Sequence, residues 1–363
     1  MAKSRDGYYY REGKLFCWSK MIDGKRIVIK ANSHGERDTR IKKKKEDLAG
    51  GVPLDPQSVS AFFSAWLEHH VAPNRAYKTH LSYSQMLRNN IEPTLGARRI
   101  ATSTSADLPA CLNAMSAKGR APRTVHYMRM VLGLVFAQAK AEGRVGLNPA
   151  SSLSVPALLT KSKRVLSSDE VKRLVAYKGT RFGPLFTFLL STGLRVSEAL
   201  ALTEADISGS TVVVTRQLQW RTKGAWSLTV LKTSAARRTV PLSAMAKDAI
   251  QRAKDQVARD RKAAGDGYES FDLLFATESG KPSTQSNVHR ALRSALDELK
   301  IPPASVHDLR RTFLTRLARV ESRPQVLKSI AGHTSLSTTM QFYVTSNAED
   351  EASAVSRAMD GIM

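Results

Sequence analysis

The stretch from His307 to Tyr343 constrains the fold of this chain more than any other part of the sequence. Its first half predicts a helix with one buried face, because apolar residues recur there at helical spacing. These are Leu309, Phe313, Leu314, Leu317 and Val320. His307 and Arg310 lie three residues apart at the head of that helix, so both should project from neighbouring turns. A guanidinium beside an apolar stripe needs an anionic partner, because an unpaired buried charge is costly.

The second half of the same stretch predicts a shorter helix and a turn. Pro324 is typical of a helix start and Gly332 of a helix end, which leaves His333 in the turn that follows. Tyr343 closes the set, ten residues after His333. Two histidines, an arginine and a tyrosine offer more hydrogen-bonding groups than a core requires. We interpret these four residues as a set that binds one phosphate.

The composition favours a polyanion as that partner. Lysine and arginine number 56 against 32 aspartates and glutamates, which gives a net charge of +24 and a pI near 10.2. This excess is beyond what solubility requires and is typical of nucleic-acid binding. Zinc is the alternative, but Cys17 and Cys111, the only cysteines, give no zinc-finger spacing with a histidine pair. We interpret both cysteines as reduced and structural.

Length and hydropathy indicate a multidomain protein of the cell interior. A chain of 363 residues with 42% hydrophobic residues can form two or three domains with real cores. Apolar runs are shorter than the roughly eighteen residues of a membrane span, and the N-terminus, Met-Ala-Lys-Ser-Arg, contains no signal-like segment. We expect a protein without membrane contact in a bacterial-type cytoplasm, associated with the nucleoid.

Residues 1–52 predict a small basic module. Aromatic and β-branched runs between residues 8 and 30 break at Gly13 and at Asp23-Gly24, which is typical of a two- or three-stranded sheet. A lysine-rich helix over 40–48 should pack on that sheet. A lysine run is often only a solvated face. Beside a basic sheet it favours a DNA-binding module whose strands lie in the major groove.

Residues 56–153 predict a helical domain between two linkers. The linkers are a Gly- and Pro-rich segment at 50–56 and a Ser- and Pro-rich segment at 148–164. Between them, apolar residues follow helical periodicity over about four helices. The helices should break near Pro73, Gly96 and Lys118-Gly119.

The rest of the chain predicts mixed helices and strands. A helix N-cap signal at Ser167 precedes an apolar helix over 182–190 that ends at Gly193. Arg195 then starts the next helix, where backbone N–H groups and the helix dipole favour an anion. Strands are predicted over 211–215 and 226–231 and at Val240, around a turn at 232–237. If this hairpin folds over a bound phosphate, Lys232 delivers an ammonium group to it; otherwise Lys232 is merely exposed.

Four motifs and one tyrosine follow one another in the second half of the chain. They read L-S-T-G-L-R-V-S-E-A-L, L-K-T-S-A-A-R-R-T-V-P-L, H-D-L-R-R-T-F and A-G-H-T-S-L-S-T-T, followed by Tyr343. This ordered set resembles the tyrosine recombinase family, specifically a phage integrase. The resemblance implies a multidomain, mainly α protein with small β-sheets. Its domains would be an arm-type DNA-binding domain over 1–52, a helical core-binding domain over 56–153, a mixed α+β catalytic domain over 163–348 and a tail over 349–363.

The resemblance also implies an active site and a reaction. The six residues would be Arg195, Lys232, His307, Arg310, His333 and the nucleophile Tyr343. The enzyme would join phage and host attachment sites on double-stranded DNA, through a 3′-phosphotyrosyl intermediate and a Holliday junction. No cofactor or metal is implied. Many members place the tyrosine nine residues after the second histidine, one fewer than here, and Lys223 is a second lysine near the hairpin.

The residue types suit this chemistry for independent reasons. Arg195 and Arg310 can hold the non-bridging oxygens of a phosphodiester without losing their charge. A phenolate at Tyr343 is a fair nucleophile and later a fair leaving group, so the step is reversible and needs neither ATP nor metal. Lys232 is the natural general acid, and histidines can orient groups or exchange protons near neutral pH. Glu198 either orients Arg195 or has a structural role.

Partners and alternatives follow from the same resemblance. We expect a homotetramer on DNA, with a host DNA-bending protein and a directionality factor as candidate partners. The tail, acidic at 349–351, either links subunits or is a frayed end. The alternatives are a resolvase-like recombinase of a plasmid or transposon, a DNA-relaxing topoisomerase, and a catalytically inactive DNA-binding regulator. The basic N-terminal module argues against a simple resolvase, and the intact set of site residues argues against a regulator.

Overall fold

A computed structural model describes most of the chain, namely residues 8–22, 25–49, 57–155, 164–221, 224–231 and 233–343. The chain divides into two compact units, residues 1–160 and 161–363. The described residues are mainly helical and carry small antiparallel sheets, which confirms the predicted fold class. In this part of the chain, no helix combines the length and apolarity needed to cross a membrane.

The first unit begins with a sheet and a helix. Strands β1 (Tyr8–Glu12), β2 (Leu15–Ile22) and β3 (Lys25–Ala31) form an antiparallel sheet in that order, and α1 (His34–Ala49) packs against β2 and β3. The helix starts earlier than predicted because Ser33 caps it: the Glu36 N–H donates to Ser33 Oγ at 3.2 Å. The predicted Asp23-Gly24 turn lies outside the described residues.

Four helical segments complete the first unit. They are α2 (Val59–Trp66), α3 (Tyr77–Met86), α4 (Pro109–Ala117) and α5 (Pro122–Ala141), and π-helical turns at Leu67–Val71 and Leu87–Gly96 extend α2 and α3. The breaks fall where the sequence predicted them. Pro93 lies inside the second π-helical segment, and the wider turn accommodates its missing backbone donor. The core contains the fully buried Phe63, Ile91, Leu108, Met128, Leu132 and Phe136.

The helices of the second unit include an apolar one that packs against several of the others. They are α6 (Ser168–Ala176), α7 (Gly183–Thr192), α8 (Val196–Ala199), α9 (Ala244–Ala264), α10 (Gln285–Glu298), α11 (Val306–Val320), α12 (Pro324–Ala331) and α13 (Leu336–Met340). Helix α7 packs against α6, α9 and α11, and its Phe186 and Phe188 are fully buried. A helix that is apolar all round is expected at such a central position. The predicted cap of α6 is present, since Ser167 and Glu170 exchange hydrogen bonds.

Two small sheets flank these helices. Strand β5 (Thr211–Val214) pairs on one side with β4 (Ile207–Ser208) and on the other with β8 (Arg238–Pro241), whereas β6 (Arg216–Trp220) pairs with β7 (Trp226–Val230). The sequence did not predict β6. The turn predicted at 232–237 therefore joins strands of different sheets and is not a hairpin. Lys223 belongs to the β6–β7 connection and Lys232 to the β7–β8 connection, and both lie outside the described residues.

Candidate active site

Arg310 is the buried centre of the site. Its side chain projects from the first turns of α11 and its residue surface is only 3% exposed. It donates from Nη1 to the Gly193 carbonyl at 2.6 Å and from Nη2 to the Ala331 carbonyl at 2.7 Å. The partners are thus carbonyl oxygens at the C-terminal ends of α7 and α12, where helix dipoles place partial negative charge. The anion that the sequence led us to expect beside this guanidinium is not a protein carboxylate.

The charge of Arg310 persists at neutral pH. Burial lowers the pKa of this guanidinium to about 9, and the positive charge of Arg195 acts in the same direction. A pKa of this size still leaves the group charged at pH 7, as expected for arginine. Two carbonyl bonds offset only part of the cost of burying a cation. The position is therefore suited to a bound anion.

His333 lies in the turn after α12, as predicted, and contacts Arg310 directly. Its Nε2 lies 3.0 Å from Arg310 Nη2 and its Nδ1 lies 3.1 Å from Thr339 Oγ1. Burial lowers the pKa of His333 to about 4, with further contributions from Arg310 and then Arg195. The ring is neutral at pH 7. Because an arginine can only donate, Nε2 accepts the hydrogen bond from Arg310. The ring hydrogen is therefore on Nδ1, which donates to Thr339 Oγ1.

Arg195 forms the N-cap of the short helix α8, as its sequence position predicts. Gly193 ends α7 with a positive φ of 64°, a conformation that glycine adopts at little cost, and this turns the chain toward α8. Arg195 donates from Nη1 to Glu198 Oε1 at 2.6 Å and from Nη2 to the Gly332 carbonyl at 3.3 Å. Its side chain remains 39% exposed, so the guanidinium is open to a ligand.

Glu198 orients Arg195, which was one of the two roles left open by the sequence. It is fully buried, and its Oε2 accepts both the Arg195 backbone N–H at 2.9 Å and Arg238 Nη2 at 2.9 Å. Burial alone would raise the pKa of Glu198, but the charge and hydrogen bond of Arg238, followed by those of Arg195, outweigh it and lower the pKa. The carboxylate is therefore ionised between two arginines.

Arg238 is a member of this cluster that sequence reasoning missed. It is 8% exposed and donates to Glu198, to the Ile330 carbonyl at 2.7 Å and to the Ala236 carbonyl at 3.0 Å. A signal for it was present, since Val240 is a core residue of β8. Alternation along a strand puts residues two apart on the same face, so Arg238 had to point inward while Arg237 pointed outward.

His307 lies on the first turn of α11, at the exposed edge of the cluster. Partial burial of the ring lowers its pKa, and the charges of Arg310, Arg311 and Arg195 add to the effect. The imidazole is therefore mostly neutral at pH 7. Its exposure and its position near the guanidiniums leave it free to exchange protons with a ligand or solvent.

Tyr343 is held apart from these residues. Its hydroxyl donates a hydrogen bond to the Glu321 carbonyl, and burial followed by the charge of Glu321 raises its pKa. Phe342, just before it, is buried and stacks on His333 with ring centroids 5.8 Å apart. The guanidinium carbon of Arg311 lies 5.1 Å from the Phe342 ring centroid. The structure thus brings together Arg195, Arg310 and His333, with His307 at their edge, and places the Tyr343 hydroxyl elsewhere.

Three further expectations concern Lys232, the C-terminal tail and Val320. Lys232 and the tail over 349–363 lie outside the described part of the chain. Val320, the last residue of the predicted apolar stripe, is exposed because α11 ends there. Within the described ranges, no three His, Cys, Asp or Glu side chains converge as metal ligands would.

Comparison with known proteins identifies the family. The model of the phage integrase family matches residues 164–350, and that of the phage integrase central domain matches residues 59–155. The chain therefore belongs to the phage integrase family and is a tyrosine recombinase, an enzyme that cleaves and rejoins DNA strands. This confirms the resemblance found in the sequence.

Similar proteins include a tyrosine recombinase and a transposase. The tyrosine recombinase XerC-like protein of Caldanaerobacter subterraneus subsp. tengcongensis is 24% identical over 360 residues, which cover 92% of each chain. The transposase from transposon Tn916 of Enterococcus faecalis is 28% identical over 265 residues, 69% of this chain and 65% of that one.

Solved structures show the same fold. The Tn1549 transposon integrase in complex with a circular intermediate DNA has a TM-score of 0.73 at 21% identity, over 83% of this chain and 99% of that one. A lambda integrase tetramer bound to a Holliday junction has a TM-score of 0.61 at 17% identity, over 94% of this chain and 96% of that one.

Proposed function

We propose that this chain is an integrase that joins a phage attachment site to a host attachment site, with Tyr343 as its nucleophile. The observation that supports this best is the convergence of two guanidiniums on neighbouring carbonyls. Arg310 donates to the Ala331 carbonyl and Arg195 to the Gly332 carbonyl. The positive charges repel each other, since Arg195 lowers the pKa of Arg310, and a bound DNA phosphate has the charge and the oxygens to offset this repulsion.

The proposed cleavage step uses the arginines, one histidine, the tyrosine and a lysine. Arg195 and Arg310 hold the non-bridging oxygens while the Tyr343 oxygen attacks the phosphorus and the bond to the 5′ oxygen breaks. His307 accepts the phenol proton, since its exposed ring is neutral at pH 7. Lys232 gives a proton to the departing 5′ oxygen. The product is a 3′-phosphotyrosyl bond, and attack by another 5′-hydroxyl reverses the step to give a Holliday junction.

His333 has a different part in this proposal. Its Nε2 lone pair is already engaged by Arg310 Nη2, so it cannot take a proton while that bond lasts. We propose that His333 orients the Arg310 guanidinium through this hydrogen bond. A bound phosphate would add negative charge beside both histidines and raise the pKa of each from its lowered value.

The tyrosine must move for this step to occur. Its hydroxyl is bonded to the Glu321 carbonyl, and a phenol with a raised pKa is a poor nucleophile. Cleavage therefore requires the segment around Tyr343 to leave this carbonyl, and the freed tyrosine then attacks a phosphate held by the guanidinium pair of its own subunit or of another subunit. Either route makes the activity depend on assembly with DNA.

The remaining parts of the chain have proposed roles on DNA. Residues 1–52 bind separate arm-type sites, residues 56–153 bind the core site, and residues 163–348 carry out catalysis. The net charge of +24 and the similarity to lambda integrase, whose structures include a dimer bound to a core site, support these assignments. We place the protein in the bacterial cytoplasm, on the nucleoid, with a host DNA-bending protein and a directionality factor as partners.

A homotetramer is the proposed assembly, and the similarity to the lambda integrase tetramer supports it. We assign the acidic tail over 349–363 the role of linking subunits. Deleting this tail should reduce the cooperativity of synapsis, measured by native gel electrophoresis of paired DNA sites. Unchanged synaptic assembly would contradict the assignment.

Insertion of a transposon is a second candidate function. The matches to the Tn916 transposase and to the Tn1549 transposon integrase favour it. Sequencing the junctions formed with host DNA separates the two candidates. A single host site supports phage-type integration, whereas many unrelated sites support transposition.

Covalent trapping tests the proposed nucleophile. The wild-type chain should form a protein–DNA adduct on a nicked suicide substrate, and Tyr343→Phe should form none while its mobility shift on DNA persists. Tyr268→Phe is the matched control, since Tyr268 lies in the same unit and stacks with Arg261 away from the cluster. It should trap as the wild type does. A persistent adduct with Tyr343→Phe would refute the assignment.

A further inference from the structure

Three arginines donate to three consecutive carbonyls at the end of α12. Arg238 Nε donates to Ile330 at 2.7 Å, Arg310 Nη2 to Ala331 at 2.7 Å, and Arg195 Nη2 to Gly332 at 3.3 Å. The last carbonyls of a helix have no intrahelical partner and carry partial negative charge. The end of α12 is therefore a common anchor for the two proposed phosphate-binding arginines and for a third arginine with no role so far.

Arg238 is bonded to more than this anchor. Its Nη2 lies 2.9 Å from Glu198 Oε2 in an ion pair whose side chains are 4% and 0% exposed. Glu198 in turn holds the Arg195 side chain and backbone. One planar guanidinium thus joins β8, the start of α8 and the end of α12, and Gly332 leaves just enough room for it.

We propose that Arg238 is a positioning residue for strand cleavage: it fixes the Glu198 carboxylate that aims Arg195 and the carbonyl end that receives Arg310. This rests on the proposed function, because it assigns Arg238 the placement of the two guanidiniums around the scissile phosphate. Arg238 does not touch the DNA, since its side chain is buried and all three of its nitrogens donate to protein oxygens. Its effect reaches the phosphate through Glu198 and the Ala331–Gly332 carbonyls.

The fork geometry of arginine is essential to this role. A lysine at the same position keeps the charge but has a single nitrogen, which cannot reach Glu198, Ile330 and Ala236 together. Glu198 would then keep only Arg195 as a partner, and Arg195 would follow the carboxylate. A displacement of about 1 Å at a reacting group can reduce a rate roughly 100-fold.

The experiment measures single-turnover adduct formation by Arg238→Lys on suicide substrates with three kinds of scissile phosphate. One is the normal phosphate, and the others are the Rp and Sp phosphorothioates, in which sulfur replaces one or the other non-bridging oxygen. We expect adduct formation on the normal phosphate to slow by about 10- to 100-fold. The rate ratio of the two phosphorothioates should change in the same direction as in Arg195→Lys, because both variants misplace the same guanidinium.

The matched control is Arg216→Lys. Arg216 also makes three bonds, to Ala201, Thr203 and Asp206 of the same unit, and none of these three bonds goes to a proposed site residue. The Arg216→Lys variant should lower the unfolding temperature about as much as Arg238→Lys does. It should leave the rate ratio of the two phosphorothioates unchanged. A companion test combines Arg238→Lys with Glu198→Gln, and the rate losses should be far from additive because the two residues act through one contact.

The outcomes separate the inference from the proposed function. A wild-type adduct together with an unchanged phosphorothioate ratio in Arg238→Lys overturns the positioning role alone, even if the variant is slower or less stable. Additive losses in the double variant also overturn it. Absence of any adduct with the wild-type chain overturns the proposed function, and the positioning role with it.

Discussion

The hydroxyl of Tyr343 donates a 2.8 Å hydrogen bond to the carbonyl oxygen of Glu321. Glu321 directly follows α11, whereas Arg310 lies in its first turns. Eleven residues separate them along one helix, a rise of about 16 Å. The proposed nucleophile and the proposed phosphate site thus lie at opposite ends of α11, and a phosphotyrosyl bond can form only after the Tyr343–Glu321 contact breaks.

Loss of this hydrogen bond should have a small effect on stability. Tyr343→Phe removes one donor to a carbonyl that has a second lone pair and nearby solvent, so we expect unfolding free energy to fall by about 0.5–1.5 kcal/mol. Urea denaturation measures it. A much larger loss would mean that the hydroxyl stabilises the fold through more than this bond, and the variant would then need a trapping assay at lower temperature.

The stability of the second unit should depend on pH through His333. Its folded pKa of about 4 is below the ordinary value of 6.5, so the unfolded chain takes up a proton that the folded chain does not. The resulting stabilisation is complete above pH 6.5 and is lost as pH falls toward 4. The loss is on the order of 3 kcal/mol. Urea denaturation of the wild type and of His333→Gln at several pH values measures this loss of unfolding free energy. The same dependence of unfolding free energy on pH in both proteins would contradict the prediction.

The glycine after α12 should tolerate alanine less well than an open glycine does. Gly332 has φ of 64° and an added Cβ would lie 2.9 Å from Arg238 Nη1, whereas Gly209 has φ of 56° and nothing within 4 Å. Both alanine variants acquire left-handed strain of about 1–2 kcal/mol. Only Gly332→Ala should lose about 1–3 kcal/mol more from overpacking. Equal losses of unfolding free energy for the two alanine variants would show that the Arg238 side chain moves away from the added methyl group at little cost.

Removal of the N-terminal module should separate two kinds of DNA binding. We expect the chain lacking residues 1–52 to cleave core sites at the wild-type rate, because the proposed catalytic residues all follow that module. Its binding to separate arm-type sites should weaken, because the basic sheet and helix are gone. Footprinting of the shortened and full chains on one attachment site measures both effects. Identical footprints would count against an arm-binding role.

Local signals predicted much of the fold around the site. The apolar period of α11, the Pro324 start and Gly332 end of α12, and the glycine break before Arg195 each depend on residues within one or two helical turns. All of these elements are present within a residue or two of their predicted limits. The hairpin expected across the turn at 232–237 was wrong, because β7 pairs with β6, a strand that the sequence did not predict, and strand partners are chosen by contacts outside the local sequence.

The sequence by itself determined the helices that carry His307 and Arg310 and the helix ends beside which Arg195 and His333 lie, because capping, periodicity and left-handed glycines act over a few residues. Only the tertiary structure decided which side chains meet. Arg310 finds its carbonyl partner at Gly193 across 117 positions of chain, and Arg238 finds that of Ile330 across 92. Contacts of such range arise from the packing of α7, α11 and α12 and the docking of β8, in which the orphan carbonyls at two helix ends must find donors.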